Sequence, residues 1–377
     1  MYFKINEEQE AIRKMVRDFR EKEIVPLAPA WDEEERFPEE IIGKLDNLGL
    51  TNLSVPEEYG GPGVDFVSAA IIMEELAYGC AGVTLAAGNN TIALYPVVVG
   101  GTEAQKEQYL TAACDEGKLA ALALWESEAG TDLTRLAATA QQDGEVYVLN
   151  GSKTFVTNAP YADFFLVFAK TGGEKGKDLS VFLVEKETPG ISIGAPVSKL
   201  GLRAALTADV VFENVRVPAE NLIGKEGSGY SLAAQTFELA RPLIAAMAVG
   251  VAQAAMEQAA KYAQERVQFG RPIADFQAIR VMLAGMAAGI EASRLLTYQA
   301  AWLRDEAAAV NSKGAIARFI ATEATMKTTI DAIQIMGGYG YSREYPLEKY
   351  MRDAKMLQVI EGDTQAQQLF IAAELLK

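Results

Sequence analysis

The chain has 377 residues, which is too long for one small core and suggests two or three domains. Lys and Arg total 35 against 51 Asp and Glu, so the formal net charge is −16, and there is no histidine. The lack of histidine excludes a Ser-His-Asp hydrolase, a histidine general base and any His-ligated metal. Because so negative a chain repels a phosphate backbone, we expect no nucleic-acid partner.

The N-terminal third of the chain, residues 1–117, is predicted to be a helical domain. Ile12, Met15, Val16 and Phe19 recur at three- and four-residue spacing, which is typical of an amphipathic helix. A second helix is predicted over residues 68–78, after the turn sequence VPEEYGGPG at 55–63.

Residues 81–102 carry no charge and are long enough for a membrane span, but their Gly, Asn and Pro residues favour a buried helix with a turn. We therefore expect no membrane span. The two cysteines, without a CxxC motif, and an N-terminus without an apolar signal core predict a cytoplasmic protein.

The middle of the chain, residues 118–226, is predicted to be a β domain. Short β-rich runs occupy residues 119–125, 145–149, 164–170, 179–184, 191–193 and 209–217. Turn pairs such as Asn150-Gly151 separate these runs. The spacing predicts an antiparallel barrel or sandwich.

The last part, residues 227–377, is predicted to be a helical bundle. Ala-rich helical patterns cover residues 232–266, 276–305 and 313–336, and such patterns suit closely packed helices. The order of helical, β and helical regions predicts an α+β protein of several domains.

Three local clusters are candidates for chemistry, since neither G-x-G-x-x-G after a strand nor a P-loop motif occurs. They are the small-residue turn at 125–132, the strand residues 155–158, and residues 359–365 around Glu361. Glu361 follows an apolar run, and a desolvated carboxylate can act as a base. Each cluster taken alone is more often structural than functional: a turn, a sheet face or a helix cap.

Further segments accompany these clusters in a characteristic order. They are EELAYGCAGV (74–83), KLGLR (199–203), VFENVRVP (211–218), ERVQFG (265–270), QIMGGYG (334–340) and RDAK (352–355). Together the segments and clusters resemble the acyl-CoA dehydrogenase family over nearly the whole chain, with the medium- and short-chain members most similar. The resemblance implies that family's fold: an N-terminal helical domain, a middle antiparallel β-barrel and a C-terminal four-helix bundle.

The resemblance also implies a function. Such an enzyme oxidises an acyl-CoA thioester to the 2,3-enoyl-CoA: Glu361 removes the α-proton and FAD accepts the β-hydride. The implied FAD contacts are Ser127, Gly130, Thr131, Phe155, Thr157, Arg266, Gln277, Gln334, Gly337 and Gly338. The implied substrate contacts are Glu238, Arg241, Leu85, Gly88, Asn89, Ile92, Trp125, Ile360 and Gly362.

The resemblance implies partners as well: an electron-transfer flavoprotein as acceptor, and further copies of the chain in a homotetramer that shares its cofactor sites. An apolar short or medium acyl group is expected, whether linear, branched or alicyclic.

Trp125, Phe155 and Asp363 differ from the residues usual in the family. Two other functions remain as alternatives to the dehydrogenase: an acyl-CoA oxidase, and a DNA-associated flavoprotein of the same fold.

Overall fold

A computed structural model describes residues 5–174, 176–306 and 312–377. The N-terminal region is helical, as predicted. Its α-helices are α1 (Glu7–Phe19), α2 (Ala28–Glu33), α3 (Glu39–Asn47), α4 (Phe66–Gly100) and α5 (Glu103–Asp115). Asn6 and Thr102 form capping boxes at the starts of α1 and α5, which satisfies the free amides of their first turns.

The middle region is a sheet. Its strands are β1 (Ala120–Ala123), β2 (Thr139–Asp143), β3 (Val146–Thr157), β4 (Phe164–Lys170), β5 (Leu179–Glu185), β6 (Ile191–Ile193), β7 (Thr207–Pro218) and β8 (Leu222–Ile223). The sheet order is β6-β7-β3-β2-β4-β5-β8, and β1 pairs with β4.

One detail of the predicted β domain needs correction. Most strand pairs are antiparallel, but β1 and β2 both pair with β4 in parallel, so the sheet is mixed. The sequence pattern also missed β2. That strand carries polar residues at one end and lies mostly exposed, so it lacks the apolar alternation that marks a strand.

The C-terminal region is helical again, and the predicted order of helical, β and helical regions is confirmed. A short hairpin of β9 (Val267–Gln268) and β10 (Arg271–Pro272) links the first two helices. The α-helices are α6 (Gly229–Glu265), α7 (Gln277–Asp305), α8 (Lys313–Met336), α9 (Gly338–Tyr341), α10 (Leu347–Leu357) and α11 (Thr364–Leu375).

The helices α4 and α6 are long and apolar enough to cross a membrane by length and composition alone. The most apolar stretch of each is 89% buried inside the protein, so both are core helices here. Helix α4 bends at Cys80, whose φ of −165° and ψ of 110° are extended rather than helical. The break divides the uncharged stretch from the first half of the helix.

A close approach between α4 and α6 depends on Gly250. A Cβ atom added at this position would lie 2.1 Å from the backbone oxygen of Glu74, far inside van der Waals contact. We expect Gly250→Ala to lower the free energy of unfolding by about 1–3 kcal/mol, as overpacking does. Gly43→Ala in α3 is the control, because no described atom lies within 4 Å of its added Cβ. Equal urea midpoints for the two variants would contradict the expectation.

Candidate active site

Glu361 lies in the turn between α10 and α11 in a strained backbone conformation. Its φ is 50° and that of Gly362 is 86°, so two consecutive residues are left-handed. Only glycine adopts this region freely, and the conformation costs another residue about 1–2 kcal/mol. Asp363 caps α11, and its side chain accepts a hydrogen bond from Ala366 N at 2.7 Å. The surrounding contacts must therefore hold Glu361 in place.

The carboxyl group of Glu361 is buried although the residue as a whole is half-buried. Its Oε2 has no hydrogen-bond partner among the residues that the structure describes. Burial raises the pKa of this carboxyl group, and the charge of Arg318 and a hydrogen bond from the Trp125 side chain oppose the rise. A buried carboxylate with a free oxygen and raised proton affinity can act as a general base.

Aromatic side chains form a wall beside this carboxyl group. Trp125, two residues after the end of β1, stacks on Phe237 of α6 with ring centroids 5.6 Å apart and planes 13° apart. The backbone oxygen of Trp125 accepts a hydrogen bond from Thr154 N at 2.9 Å. The middle domain therefore fixes the position of one wall of the site.

Arg241 of α6 reaches the turn through Gln367. Its Nε donates to Gln367 Oε1 at 3.0 Å, and Gln367 Nε2 donates to the oxygen of Gly362 at 3.2 Å. The guanidinium also lies 4.1 Å from the centroid of the Phe370 ring. Burial lowers the pKa of Arg241, and the charge of Glu238 opposes this shift. Arg241, Glu238 and Gly362 are thus connected to the Glu361 turn.

The predicted acyl-pocket residues of α4 divide into two groups. Leu85 and Ile92 belong to the same buried apolar cluster as Ile360. Gly88 instead approaches Met73 of the same helix, since an added Cβ would lie 2.6 Å from Met73 Cε. Asn89 donates to the oxygen of Ala120 at 3.3 Å and so joins α4 to β1.

The turn after β1 exposes the predicted cofactor contacts Ser127, Gly130 and Thr131. Gly130 has a φ of 56°, and the described residues leave open space where its Cβ would be. Its amide and that of Ala129 donate to the oxygen of Glu126, each at 3.2 Å. These bonds shape the turn, and the exposed hydroxyl groups of Ser127 and Thr131 remain available to a ligand.

A buried ion pair between Lys153 and Glu126 lies next to this turn. Lys153 Nζ donates to Glu126 Oε1 at 2.6 Å, and Glu126 also accepts from the amides of Ala137 and Ala138 at 2.6 and 3.1 Å. Lys153 is 0% exposed. Burial lowers the pKa of Lys153 to about 8, and the Glu126 charge opposes that shift.

Phe155 protrudes from a bulge in β3. The pairing of β3 with β7 shifts between Lys153 and Val156, and Phe155 has a φ of 52°. The residue is left 54% exposed, which is unusual for a large aromatic residue. Thr157, two residues on, is half-buried. The bulge offers an apolar face to a flat ligand.

The remaining predicted cofactor residues lie at the other end of the helical bundle. Arg266, Gly337 and Gly338 line one cavity of about 590 Å³. Gln334 lies in the last turn of α8, two residues before Met336 of that cavity, and Gln277 is exposed at the start of α7. Along α8 the distance from Arg318 to Met336 is about 27 Å at 1.5 Å per residue. Each chain therefore carries two separate groups of predicted site residues, one around the Glu361 turn and one around the Arg266 cavity.

Residue patterns missed four side chains that build the site: Arg318, Lys153, Phe237 and Gln367. Lys153 continues the inward-facing alternation of Tyr147 and Leu149 in β3, so its burial was readable from the period of two. Arg318 lies among apolar residues of α8, where an isolated cation indicates a buried partner. For Phe237 and Gln367 the sequence carries no comparable signal.

Three family models match the chain. They describe the acyl-CoA dehydrogenase N-terminal domain at residues 6–117, the middle domain at 121–215 and the C-terminal domain at 227–376. The chain belongs to the acyl-CoA dehydrogenase family, as its resemblance indicated. It is an oxidoreductase that acts on CH–CH bonds.

Similar proteins cover the whole chain. A short-chain specific acyl-CoA dehydrogenase of Clostridium acetobutylicum is 42% identical over 100% of both chains. A 3-(aryl)acrylate reductase of Clostridium sporogenes is 41% identical, also over 100% of both. The structure of butyryl-CoA dehydrogenase from Megasphaera elsdenii superimposes with a TM-score of 0.97 at 39% identity, with complete coverage of both chains.

FAD, the expected cofactor, is confirmed by membership of this family. The residues present fit a flavin dinucleotide in two places. The exposed Phe155 and the open space at Gly130 suit the flat end of the cofactor. The cavity at Arg266 offers a guanidinium, which forms charge-assisted hydrogen bonds to phosphate oxygens.

Proposed function

We propose that Glu361 is the base that removes the α-proton of an acyl-CoA. The observation that carries this proposal is the buried carboxyl oxygen without a hydrogen-bond partner among the described residues. Its raised pKa brings its proton affinity closer to that of a weakly acidic carbon. Ala240 occupies the position used for the base in some other members of the family and cannot serve.

The other residues of the site bind and orient. FAD, when bound, accepts the hydride from the β-carbon. We propose that Trp125 and Phe237 exclude water from one side of the carboxyl group, and that Glu238 contacts the pantetheine chain of CoA. Arg241 supports the Glu361 turn through Gln367. As charge develops on the thioester oxygen, the amide of Glu361 can donate to it, an arrangement of the oxyanion-hole type.

We propose a short or medium apolar acyl group as the substrate. Leu85, Ile92 and Ile360 are apolar and belong to one buried cluster, and the stacked rings of Trp125 and Phe237 add an apolar surface beside Glu361. The relatives named for short-chain and butyryl-CoA substrates support the same size class. Branched and alicyclic groups of similar volume remain within this proposal.

The separation of the two clusters supports a cofactor shared between copies of the chain. The Phe155 face and the Arg266 cavity would then hold the two ends of one FAD from different protomers, in a homotetramer.

We further propose that an electron-transfer flavoprotein is the electron acceptor and that the protein is cytoplasmic. The proposed domain boundaries are residues 1–117, 118–226 and 227–377.

Anaerobic mixing of the holoenzyme with a panel of acyl-CoAs tests the function. We expect bleaching of the oxidised flavin with short and medium apolar chains, and reoxidation by an electron-transfer flavoprotein. Rapid peroxide formation in air would instead indicate an oxidase. No bleaching with any acyl-CoA, together with no reoxidation of the reduced flavin by an enoyl-CoA in the reverse direction, would contradict the proposal.

The aromatic wall predicts a change of substrate preference. In Trp125→Ala the indole beside Glu361 is lost, so the site gains room. We expect the ratio of kcat/KM for a longer over a four-carbon acyl-CoA to rise about tenfold or more, because each accommodated methylene is worth about 10–200-fold. Steady-state kinetics with both substrates measure this ratio. An unchanged ratio in folded, FAD-loaded protein would place Trp125 outside the acyl pocket.

A further inference from the structure

Arg318 of α8 is buried directly behind the Glu361 turn. It is 2% exposed. Its Nη1 donates to the oxygen of Glu361 at 2.7 Å, and its Nη2 donates to the oxygen of Ile360. A planar guanidinium with parallel donors can hold two adjacent carbonyl groups at once, which an ammonium group cannot do in the same geometry.

The backbone hydrogen bonds of the turn fix its two ends but not the carbonyl group of Glu361. The amides of Val359 and Ile360 donate back to Met356, and Thr364 N donates to the oxygen of Gln358. These bonds fix both ends of the turn. Between them, the left-handed Glu361 directs its side chain into the site, and Arg318 holds its carbonyl group.

The charge of Arg318 acts on the same carboxyl group. Burial lowers the pKa of Arg318 to about 10, so the guanidinium stays positive at neutral pH. It opposes the rise in the pKa of Glu361. Among the described residues, the other charged groups around the turn are Arg241 and Glu238 on α6, Glu323 on α8, Lys355 on α10 and Asp363 at the start of α11.

We infer that Arg318 is a positioning residue for the reaction: its guanidinium fixes the two carbonyl groups that aim Glu361 and places a positive charge directly behind the same turn. This inference rests on the proposed role of Glu361. It extends that role to a side chain that touches neither substrate nor cofactor. Arg318 acts through the turn, so its loss changes geometry and proton affinity together.

Two variants separate geometry from charge. Arg318→Lys keeps the positive charge but loses the two parallel N–H donors of the guanidinium. We expect flavin reduction in single turnover to slow about 10- to 100-fold, since small misplacements of reacting groups have effects of that order. The KM and the acid limb of the pH profile should change little. Arg318→Met also loses the charge, so its acid limb should move to higher pH by about one unit.

Hydrogen exchange of the turn gives a readout independent of turnover. Amides of residues 359–364 should exchange faster in both variants of the holoenzyme, while FAD content and the circular dichroism spectrum stay the same. Lys327→Met, which removes an exposed cation from the same helix, is the control and should match the wild type throughout.

The outcomes are separable. Wild-type flavin reduction in Glu361→Gln would overturn the proposed function and this inference with it. An inactive Glu361→Gln together with wild-type rates, pH profiles and exchange in both Arg318 variants would overturn the positioning role alone. Where Arg318→Met does not fold, Arg318→Lys decides: slow reduction with faster exchange supports the role, and wild-type behaviour refutes it.

Discussion

Replacement of Glu361 by Gln is expected to slow flavin reduction by about 10²- to 10⁴-fold, the usual contribution of a general base. The amide has nearly the same shape, so FAD and acyl-CoA should still bind. Stopped-flow mixing under anaerobic conditions measures the rate, and titration with a substrate analogue measures binding. Glu213→Gln, an exposed carboxylate on β7, should leave both unchanged.

The pH dependence follows from the raised pKa of Glu361. Because the carboxylate is the active form, the rate should fall on the acid side at a higher pH than for an ordinary glutamate. The folded protein also holds this proton more tightly than the unfolded chain does. Its contribution to stability is therefore present at low pH and lost as pH rises through the titration of Glu361. Both the acid limb and this slope should be absent in Glu361→Gln; a residual acid limb of the same position would assign the limb to another group.

Removal of one partner of the buried Glu126–Lys153 ion pair should lower the free energy of unfolding more than Gly250→Ala does. Lys153 is fully buried, so Glu126→Gln leaves an ammonium group without its counter-charge. We expect the free energy of unfolding to fall by about 3–5 kcal/mol. The FAD content should fall too, since Glu126 also holds the amides of Ala137 and Ala138 after the exposed turn. Urea midpoints and the flavin-to-protein ratio measure these changes.

Two further variants test the cause of this loss. Glu126→Gln combined with Lys153→Met removes both charges and should recover most of the stability, because no charge remains buried. Asp18→Asn breaks an exposed pair with Lys14 and should change the midpoint little. A double variant as unstable as Glu126→Gln alone would show that the packing around Glu126, rather than its charge, is responsible.

Much of the fold was predictable because the local patterns are strong. The limits predicted for residues 164–170, 191–193 and 313–336 coincide with β4, β6 and α8. The predicted helix over residues 68–78 ends two residues before the extended break at Cys80, but the pattern did not place the break at that residue. The parallel pairing of β1 with β4 depends on contacts between distant residues, which periodicity does not encode.

The candidate site was predictable in part. The apolar run before Glu361 made this carboxylate a candidate and the family resemblance selected it as the base; the burial of its carboxyl group agrees with the first argument. Its positive φ could not be read from the residue type, because glutamate rarely adopts it. Arg318 is 43 positions away along the chain, so only folding reveals that it holds the turn.

The packing of α4 on α6 has a consequence for synthesis of the chain. One apolar cluster runs from Val16 through both helices to Ile360, so the first and last thirds of the chain share a core. As translation proceeds, α4 emerges more than a hundred residues before α6 and must wait with its apolar surface uncovered. The contacts that complete this core are long-range in sequence, which slows folding. A fragment that ends after the N-terminal region would thus present to the cell an unpaired apolar helix, a surface of the kind that chaperones bind.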